Sequence, residues 1–461
     1  MTTCATVTVR LCAVALLVTV PLFAAPPASA VTPPPIDDAL LPKPAPPAPP
    51  EPTEQQDQCV ASEAAAAGRR DAGQLKGLDL RRLWRLTRGA GQTVAVIDTG
   101  VSRHRLLPHL VPGGDYVHTG DGTDDCDGHG TIVAGIIGAA PDRDNSPTFS
   151  GIAPDATIVG IRQSSNKFRS TEEPSASGFG DVETLAMAVR TAADMGATVI
   201  NVSSVACLPA GATLDDRALG AALSYAVDVK NVVVVAAAGN VGGLTQCVDQ
   251  NPASDPAKPG QPNWADVKVI VSPAWYDDYV LTVGSVASDG APSRFSLAGP
   301  WVDVAAPGEG IVSLDPDGEG LIDSLPTSGD PRPISGTSYA APVVSAIAAL
   351  VRARSPELTA RQVMERIERT AHRPAAGWDP VVGHGVVDAL AAVGAGTAIS
   401  PARDESTARP VSTAAVTPPD GHARQVALRG AAIGVAITVA TVAMTASVAR
   451  LRRSRDAVPR D

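Results

Sequence analysis

Ser338 is the residue of this 461-residue chain whose surroundings most favour nucleophilic chemistry. It follows a Gly-Thr pair and opens an apolar, Ala-rich run to residue 350, which predicts a buried helix with Pro342 in its first turn. A hydroxyl at a helix N-terminus faces unpaired N–H groups and the positive end of the helix dipole, which stabilise charge on a neighbouring oxygen. Serine is also an ordinary helix cap, so the assignment depends on partners elsewhere in the chain.

Asp98 and His129 supply the two groups that would activate such a serine. Asp98 follows the apolar run 93–97, which predicts a buried strand, and open α/β sheets build their sites at the carboxyl ends of strands. His129 lies between Gly128 and Gly130 at the start of another apolar run, which predicts a helix with the imidazole near its first turn. A carboxylate that orients an imidazole, and an imidazole that accepts a serine proton, together activate a nucleophile.

Asn240 adds a donor for an oxygen that becomes negative during attack. It follows Gly239 at the end of the run 232–238, which predicts a strand buried on both faces and places the amide at the same sheet edge as Asp98. Taken alone, each Asp or Asn is an ordinary turn residue. Together with His129 and Ser338, they supply a nucleophile, a base, an orienting carboxylate and a donor for a developing negative charge.

Strands and helices alternate between these residues. This alternation indicates right-handed crossovers and an α/β fold with a doubly wound, mostly parallel sheet that carries helices on both faces. Lysine and arginine number 37 against 48 aspartate and glutamate residues, which disfavours nucleic acid as a partner. The further predicted strands are 157–161, 198–203, 231–238 and 279–286, and the predicted helices are 182–195, 214–229 and 359–371.

The N-terminal region predicts export and then an extended segment. Residues 1–30 contain a short apolar run that ends in Ala-Ser-Ala, the pattern of a cleaved signal peptide. Cleavage there removes two of the six cysteines and places the other four in an oxidising compartment. Residues 31–58 are rich in proline and cannot fold alone, so they form either an extended arm or a linker to a cell-wall layer.

The C-terminal region predicts a membrane anchor. Residues 397–429 are rich in Ser, Thr, Pro and Ala as far as position 423 and predict a flexible tether. Residues 430–449 carry no charge, and at about 1.5 Å per residue they reach about 30 Å, the hydrocarbon thickness. The arginines of the tail 450–461 indicate a cytoplasmic C-terminus and an extracytoplasmic main domain in the cell membrane. A peripheral helix is the alternative.

The chain resembles the subtilisin-like serine proteases from about residue 90 to 396. Asp-Thr-Gly at 98–100, His-Gly-Thr at 129–131 and Gly-Thr-Ser-Tyr-Ala-Ala-Pro at 336–342 occur in the order of that family. The resemblance implies a serine endopeptidase without a cofactor, in which Ser338 is the nucleophile and His129 the general base and then acid. Asp98 would orient the imidazole, and Asn240 would bind the oxyanion beside the Ser338 N–H.

Substrate binding departs from the family pattern. The family usually has Ser-Leu-Gly in the segment that lines the substrate, and this chain has Ser203-Ser204-Val205 there. A branched valine in place of glycine leaves less room for the substrate along this segment. We therefore expect a selective enzyme rather than a degradative one. Calcium is common in relatives but has no convincing loop here, because helix-start acids explain the cluster of Asp124, Asp125 and Asp127. No metal site is predicted.

Four cysteines allow three pairings. In the resembled fold, Cys207 and Cys247 follow the ends of neighbouring strands and can meet, which leaves Cys59 to pair with Cys126. That second bond would tie an N-terminal arm, residues 31–89, beside His129. The region is too short and too rich in proline to be a folded prodomain, so we expect the arm to wrap the catalytic domain and stay attached.

Signal peptide, arm, protease domain, tether and span together resemble the mycosins, the membrane-anchored serine proteases of type VII secretion systems. The stretch Pro-Ala-Trp-Tyr-Asp-Asp-Tyr-Val-Leu-Thr-Val-Gly at 273–284 agrees. The resemblance implies cleavage of selected exported proteins, association with the secretion membrane complex, and a structural role there. Two alternatives remain open: a subunit that mainly stabilises the secretion complex, and an anchored leader peptidase for a modified peptide.

Overall fold

A parallel sheet built from small branched residues organises the chain. The computed structural model describes residues 31–60, 73–142, 149–173, 175–242, 247–255, 257–326 and 330–394. The predicted signal peptide, tether, membrane span and tail lie outside these residues. Across the described residues, none of the helices combines the length and apolar character that a membrane crossing needs.

The bounds of the elements follow the predicted alternation. In chain order, the strands are β1 (Thr53–Gln55), β2 (Thr93–Asp98), β3 (Leu110–Asp115), β4 (Thr157–Arg162), β5 (Phe168–Ser170), β6 (Val199–Val202), β7 (Ala206–Pro209), β8 (Val233–Ala237), β9 (Val269–Ser272), β10 (Leu281–Val286), β11 (Val304–Pro307), β12 (Ser313–Leu314), β13 (Leu321–Ile322), β14 (Ser324–Leu325) and β15 (Arg332–Pro333). The α-helices are α1 (Leu80–Leu83), α2 (His129–Gly138), α3 (Val182–Asp194), α4 (Arg217–Ser224), α5 (Thr337–Arg354), α6 (Ala360–Thr370) and α7 (Ala389–Gly394). Short 3-10 helices occupy Asp38–Leu40 and Gly73–Leu78, and one π-helical turn occupies Tyr225–Val229.

Seven strands form the central sheet in the order β11-β10-β8-β6-β2-β4-β3, and every neighbouring pair is parallel. All residues of β6, β8 and β10 are buried, because helices and loops cover both faces of the sheet. The predicted subtilisin-like α/β fold with a mostly parallel sheet is confirmed. The strand order reverses at β2, so the carboxyl ends of β2 and β6 meet at a topological switch point, where such sheets place their sites.

Helix α5 is the central helix of the fold. It contacts β6, β8, β10 and β11 and packs against α2, while α3 and α4 pack against each other. Every residue from Thr337 to Val351 is buried, as expected of a helix that is apolar on all sides. The helix begins at Thr337, so Pro342 lies in its second turn rather than in the predicted first turn.

Residues 31–60 form an extended segment that makes hydrogen bonds with the rest of the fold. Val31 N–H donates to the carbonyl of Trp264, and the Arg190 guanidinium donates to the carbonyl of Pro42, both at 3.2 Å. Further along, β1 pairs antiparallel with β5, and Glu54 and Arg169 form an ion pair at 2.7 Å across that pair. Because proline cannot donate a backbone hydrogen bond, this segment is held by a few such contacts rather than by a core of its own.

Both predicted disulfide bonds are present. Cys59 and Cys126 join the N-terminal segment to the loop before α2, with 4.4 Å between their Cα atoms. Cys207, on β7, bonds Cys247, with 5.1 Å between their Cα atoms. Each bond therefore lies close to a chain segment that carries a predicted catalytic residue.

Candidate active site

Asp98 and His129 meet at the carboxyl edge of the sheet. Asp98 is the last residue of β2 and is fully buried, and His129 is the first residue of α2 with 25 % of its side chain exposed. Asp98 Oδ1 lies 2.6 Å from His129 Nδ1 and also accepts the N–H of Thr99 at 2.8 Å. Since Nδ1 is engaged, Nε2 is the imidazole nitrogen that is left for a reacting group.

The charge of Asp98 tunes the imidazole. Burial alone favours the neutral ring, but the negative charge and the hydrogen bond of Asp98 outweigh it and raise the pKa of His129 above its ordinary value. Asp125 and Asp127 add smaller contributions in the same direction. A base with a raised pKa binds a proton more strongly, which suits a group that must hold a serine proton during attack.

Ser338 is the second residue of α5 and is 8 % exposed. The next residue, Tyr339, places its ring centroid 5.1 Å from that of His129, so the N-terminus of α5 lies beside the imidazole. A Cβ on Gly336 would lie 3.0 Å from Ser338 Oγ, so glycine keeps the space in front of the hydroxyl open. Ser338 therefore lies in the first turn of a buried helix, as the sequence predicts.

Pro342 explains why Ser203 points inward. A proline has no N–H to donate to the carbonyl four residues earlier, and that carbonyl belongs to Ser338. The Ser203 hydroxyl donates to it instead, at 2.9 Å. Asn201 Nδ2 donates to the Ser203 hydroxyl at 2.8 Å, and the Ser345 hydroxyl donates to Asn201 Oδ1 at 2.8 Å. This buried chain of hydrogen bonds locks the start of α5 onto the end of β6.

The three residues predicted to line the substrate follow β6 directly. Ser203 turns its hydroxyl to the Ser338 carbonyl, as described above. The Ser204 hydroxyl accepts from that of Ser164 at 3.5 Å, and Val205 is half-buried. Contact of these residues with a substrate stays a prediction.

Asn240 lies beside the N-terminus of α5, hydrogen-bonded to Thr337. Its side-chain oxygen accepts the N–H of Thr337 at 2.9 Å and the Thr337 hydroxyl at 3.1 Å. Because both bonds occupy the oxygen, the NH₂ group is the part of Asn240 that is left to donate to a ligand. The Cys207–Cys247 bond lies behind this loop, where a Cβ on Gly239 would lie 3.1 Å from Cys247 Sγ.

We expect Asn240→Ala to lower kcat by roughly 10²–10³, because the variant removes one donor to the oxygen that becomes negative. KM for a short peptide should change little, since the donor acts mainly in the transition state. Steady-state kinetics on a peptide substrate measure both values. Turnover within a factor of two of the parent would remove Asn240 from the mechanism.

Asn240→Asp is the matched control for that experiment. A carboxylate still accepts both bonds from Thr337, but it cannot donate to an oxyanion. If Asn240 only holds Thr337 in place, the Asp variant should turn over normally. If Asn240 is an oxyanion donor, the Asp variant should lose at least as much kcat as the Ala variant.

The three acidic residues before His129 all have protein partners or face solvent. Asp125 accepts hydrogen bonds from the start of α2, as predicted for a helix-start acid. Asp127 instead accepts the hydroxyl of Ser165 and the N–H of Asn166, and burial raises its pKa. Within the part of the chain that the structure describes, no group of three or more acidic, His or Cys side chains has a metal-binding arrangement.

Sequence reasoning missed the residues that support the site. Asn201, Ser345 and Thr337 hold the catalytic candidates through long-range hydrogen bonds, and a single sequence does not show such pairs. One signal was available. Pro342 four residues after Ser338 implies an unpaired Ser338 carbonyl, and therefore a donor elsewhere in the fold.

Comparisons with known proteins agree with this geometry. The subtilase family matches residues 89–385. Mycosin-4 of Mycobacterium tuberculosis (strain ATCC 25618 / H37Rv) is 58% identical over 98% of this chain and 99% of that protein. The MycP3 protease from the type VII (ESX-3) secretion system is 46% identical with a TM-score of 0.72, over 79% of this chain and 99% of that chain. A chain in the periplasmic assembly of the ESX-5 inner membrane complex is 43% identical with a TM-score of 0.73, over 79% of this chain and 94% of that chain.

The parallel sheet carries a histidine, an aspartate and a helix-start serine at its carboxyl edge. The subtilase family matches most of the chain, and the two findings together define a serine endopeptidase. The chain belongs to the subtilase family. Within that family it is a mycosin, because the likeness to Mycosin-4 extends over nearly the whole of both chains.

Proposed function

We propose that Ser338, His129, Asp98 and Asn240 are the catalytic residues of this endopeptidase. The observation that supports this assignment most is the 2.6 Å hydrogen bond between Asp98 and His129 at the sheet edge, beside the N-terminus of α5. A buried carboxylate that engages Nδ1 leaves Nε2 as the base for a nearby hydroxyl.

Peptide hydrolysis then proceeds in two halves. Ser338 Oγ attacks the scissile carbonyl while His129 Nε2 takes its proton, and Asp98 stabilises the imidazolium. The Asn240 amide and the Ser338 N–H bind the oxygen that becomes negative. His129 next protonates the leaving amine, and an acyl-enzyme on Ser338 remains. Water, deprotonated by His129, releases the acyl group by the same route.

The substrates that we propose are selected proteins exported by the same secretion system. Val205, in the strip after β6, leaves less room and less backbone freedom than glycine would, which favours selective over general proteolysis. The relatives named above include a protease from a type VII secretion system, which is the basis for this substrate class.

We place the protease outside the cytoplasm, anchored in the cell membrane. In this proposal residues 1–30 are the signal peptide, 31–89 the arm, 90–396 the peptidase domain and 397–429 the tether. Residues 430–449 then span the membrane once, and 450–461 form a cytoplasmic tail. A relative occurs in an ESX-5 inner membrane complex, which supports membrane association and subunits of a type VII secretion complex as partners of this chain.

A fluorophosphonate probe tests the catalytic assignment directly, because it reacts only with an activated serine. We expect the folded protein to be labelled and the adduct to map to Ser338 by mass spectrometry of peptides. His129→Ala should remain unlabelled, and so should the heat-unfolded parent. An adduct at another serine of the folded protein would contradict the assignment. Mapping the cut sites in co-expressed exported proteins then tests the substrate class.

A second candidate function is a structural role in a secretion complex. The occurrence of a relative in an ESX-5 inner membrane assembly favours it, and the two functions can coexist in one chain. Ser338→Ala removes the proposed nucleophile and therefore separates catalysis from assembly.

A further inference from the structure

Asp125 binds the N-terminus of the helix that carries His129. Its Oδ1 accepts the N–H of Gly128 at 2.8 Å, and its Oδ2 accepts the N–H of Thr131 at 2.8 Å and the Thr131 hydroxyl at 2.6 Å. These N–H groups have no partner inside the helix, so the carboxylate satisfies donors on both sides of His129 in sequence. The negative charge also lies at the positive end of α2.

Thr99 joins this cap to the strand that carries Asp98. Its hydroxyl donates to Asp125 Oδ1 at 2.8 Å and accepts the N–H of Gly130 at 3.0 Å. Its own N–H donates to Asp98 Oδ1 at 2.8 Å, the oxygen that engages His129 Nδ1. The hydrogen bonds therefore form a closed ring through Asp98, Thr99, Asp125 and the start of α2.

Backbone contacts set the closest approach between the start of α2 and the end of β2. A Cβ on Gly130 would lie 2.0 Å from the carbonyl oxygen of Gly100, and a Cβ on Gly100 would lie 2.0 Å from the carbonyl oxygen of Asp124. The start of α2 and the end of β2 already touch, so they cannot move closer. The hydrogen bonds of Asp125 and Thr99 oppose their separation, together with the bond between Asp98 and His129 and the bond that the Ser102 N–H donates to the Thr131 hydroxyl at 2.9 Å.

We propose that Asp125 and Thr99 are positioning residues that set the distance between Asp98 and His129. This inference rests on the proposed catalytic roles of those two residues. In this proposal the two residues act through the placement of the imidazole rather than on the reacting atoms. The mature N-terminal segment contributes to the same loop, because Cys126, the neighbour of Asp125, is bonded to Cys59.

Thr99→Val is the decisive variant, since it removes the hydroxyl while keeping the shape and the charge of the site. We expect kcat to fall about 10–100-fold, the loss that a displacement of about 1 Å produces in a catalytic group. KM should stay within threefold. Thr99→Ser keeps the hydroxyl and should restore most of kcat, which separates the hydrogen bond from the rest of the side chain.

Asp125→Asn tests the other half of the ring. An amide keeps one acceptor but turns an NH₂ group towards N–H donors of α2, so kcat should again fall at least 10-fold. The matched control is Asp79→Asn, because Asp79 caps α1 in the same way by accepting the N–H of Arg82 at 3.3 Å, in a helix that packs against α7. The control should keep its kcat.

A spectroscopic readout distinguishes positioning from simple stability. In the parent, the Nδ1 proton of His129 should give a far-downfield proton resonance, and Thr99→Val should shift it upfield as the bond to Asp98 lengthens. Thermal unfolding of each variant is measured in parallel. Variants at Thr99 and Asp125 that lose thermal stability but keep kcat and this resonance would overturn the proposal.

The same variants distinguish an error in the positioning role from an error in the catalytic assignment. If Ser338→Ala is inactive while Thr99→Val is fully active, only the positioning role is wrong. If Ser338→Ala and His129→Ala both remain active, the proposed catalytic site itself is wrong.

Discussion

Ser338→Ala should lower peptide turnover on the order of 10⁶-fold, the loss that removal of the nucleophile produces in a triad of this type. Without the Ser338 hydroxyl the proposed acyl-enzyme cannot form, so only the residual stabilisation of the oxyanion remains. The fold should be unaffected, because alanine is the best helix former and Ser338 lies in the first turn of α5. Hydrolysis of a peptide substrate and thermal unfolding measure the two effects.

The same variant separates the two proposed functions in a cell. If secreted proteins appear at normal levels but remain untrimmed, the chain has a catalytic role and a separate structural role. If secretion stops, catalysis itself is required. Ser224→Ala, a change of the same kind at the end of α4 and outside the candidate site, is the control and should behave as the parent. Peptide turnover by Ser338→Ala near that of the parent would refute the serine mechanism.

Asp98→Asn should reduce kcat by about 10⁴, because a neutral amide neither stabilises the imidazolium nor holds the required tautomer. Asp98 Oδ2 is buried and has no hydrogen-bond partner among the described residues. An amide nitrogen at that position would leave unpaired donors, and an amide nitrogen at Oδ1 would face the N–H of Thr99.

The pH profile gives this variant a second signature. His129 must be neutral to act as a base, so parent activity falls as the pH drops through its raised pKa. Removing the Asp98 charge leaves burial to lower that pKa, and the acid limb of kcat/KM should move to lower pH.

Asp155→Asn, which breaks an ion pair with Arg88 remote from the site, should leave the limb in place. If the acid limb of Asp98→Asn moves to higher pH, the Asp98 charge does not raise the pKa of His129 as stated above.

The catalytic candidates were predictable because each lies at a boundary that local sequence marks. The apolar run before Asp98 became β2 and ended at that residue, and α2 begins at His129 as its flanking glycines and apolar run indicated. Buried parallel strands are continuous apolar runs, so they are recognisable without any knowledge of tertiary contacts. The sheet then determines where their ends meet.

Edge strands and polar supports were not predictable in the same way. Strand β3 contains Pro112 and Gly113 and shifts register against β4, so it carries neither an apolar run nor a clean alternation. Asn201 and Asp125 act through partners that are distant in sequence or through backbone N–H groups. Such pairs follow from tertiary packing, which local propensity does not encode.

Each of the two disulfide bonds restrains a loop beside a candidate catalytic residue. Cys126 lies between Asp125 and Asp127 in the loop before His129, and the other bond lies behind the Asn240 loop. With the cysteines reduced, both loops are held by noncovalent contacts alone. Cross-linking stabilises a fold chiefly by limiting the freedom of the unfolded chain, so reducing either bond should lower the free energy of unfolding.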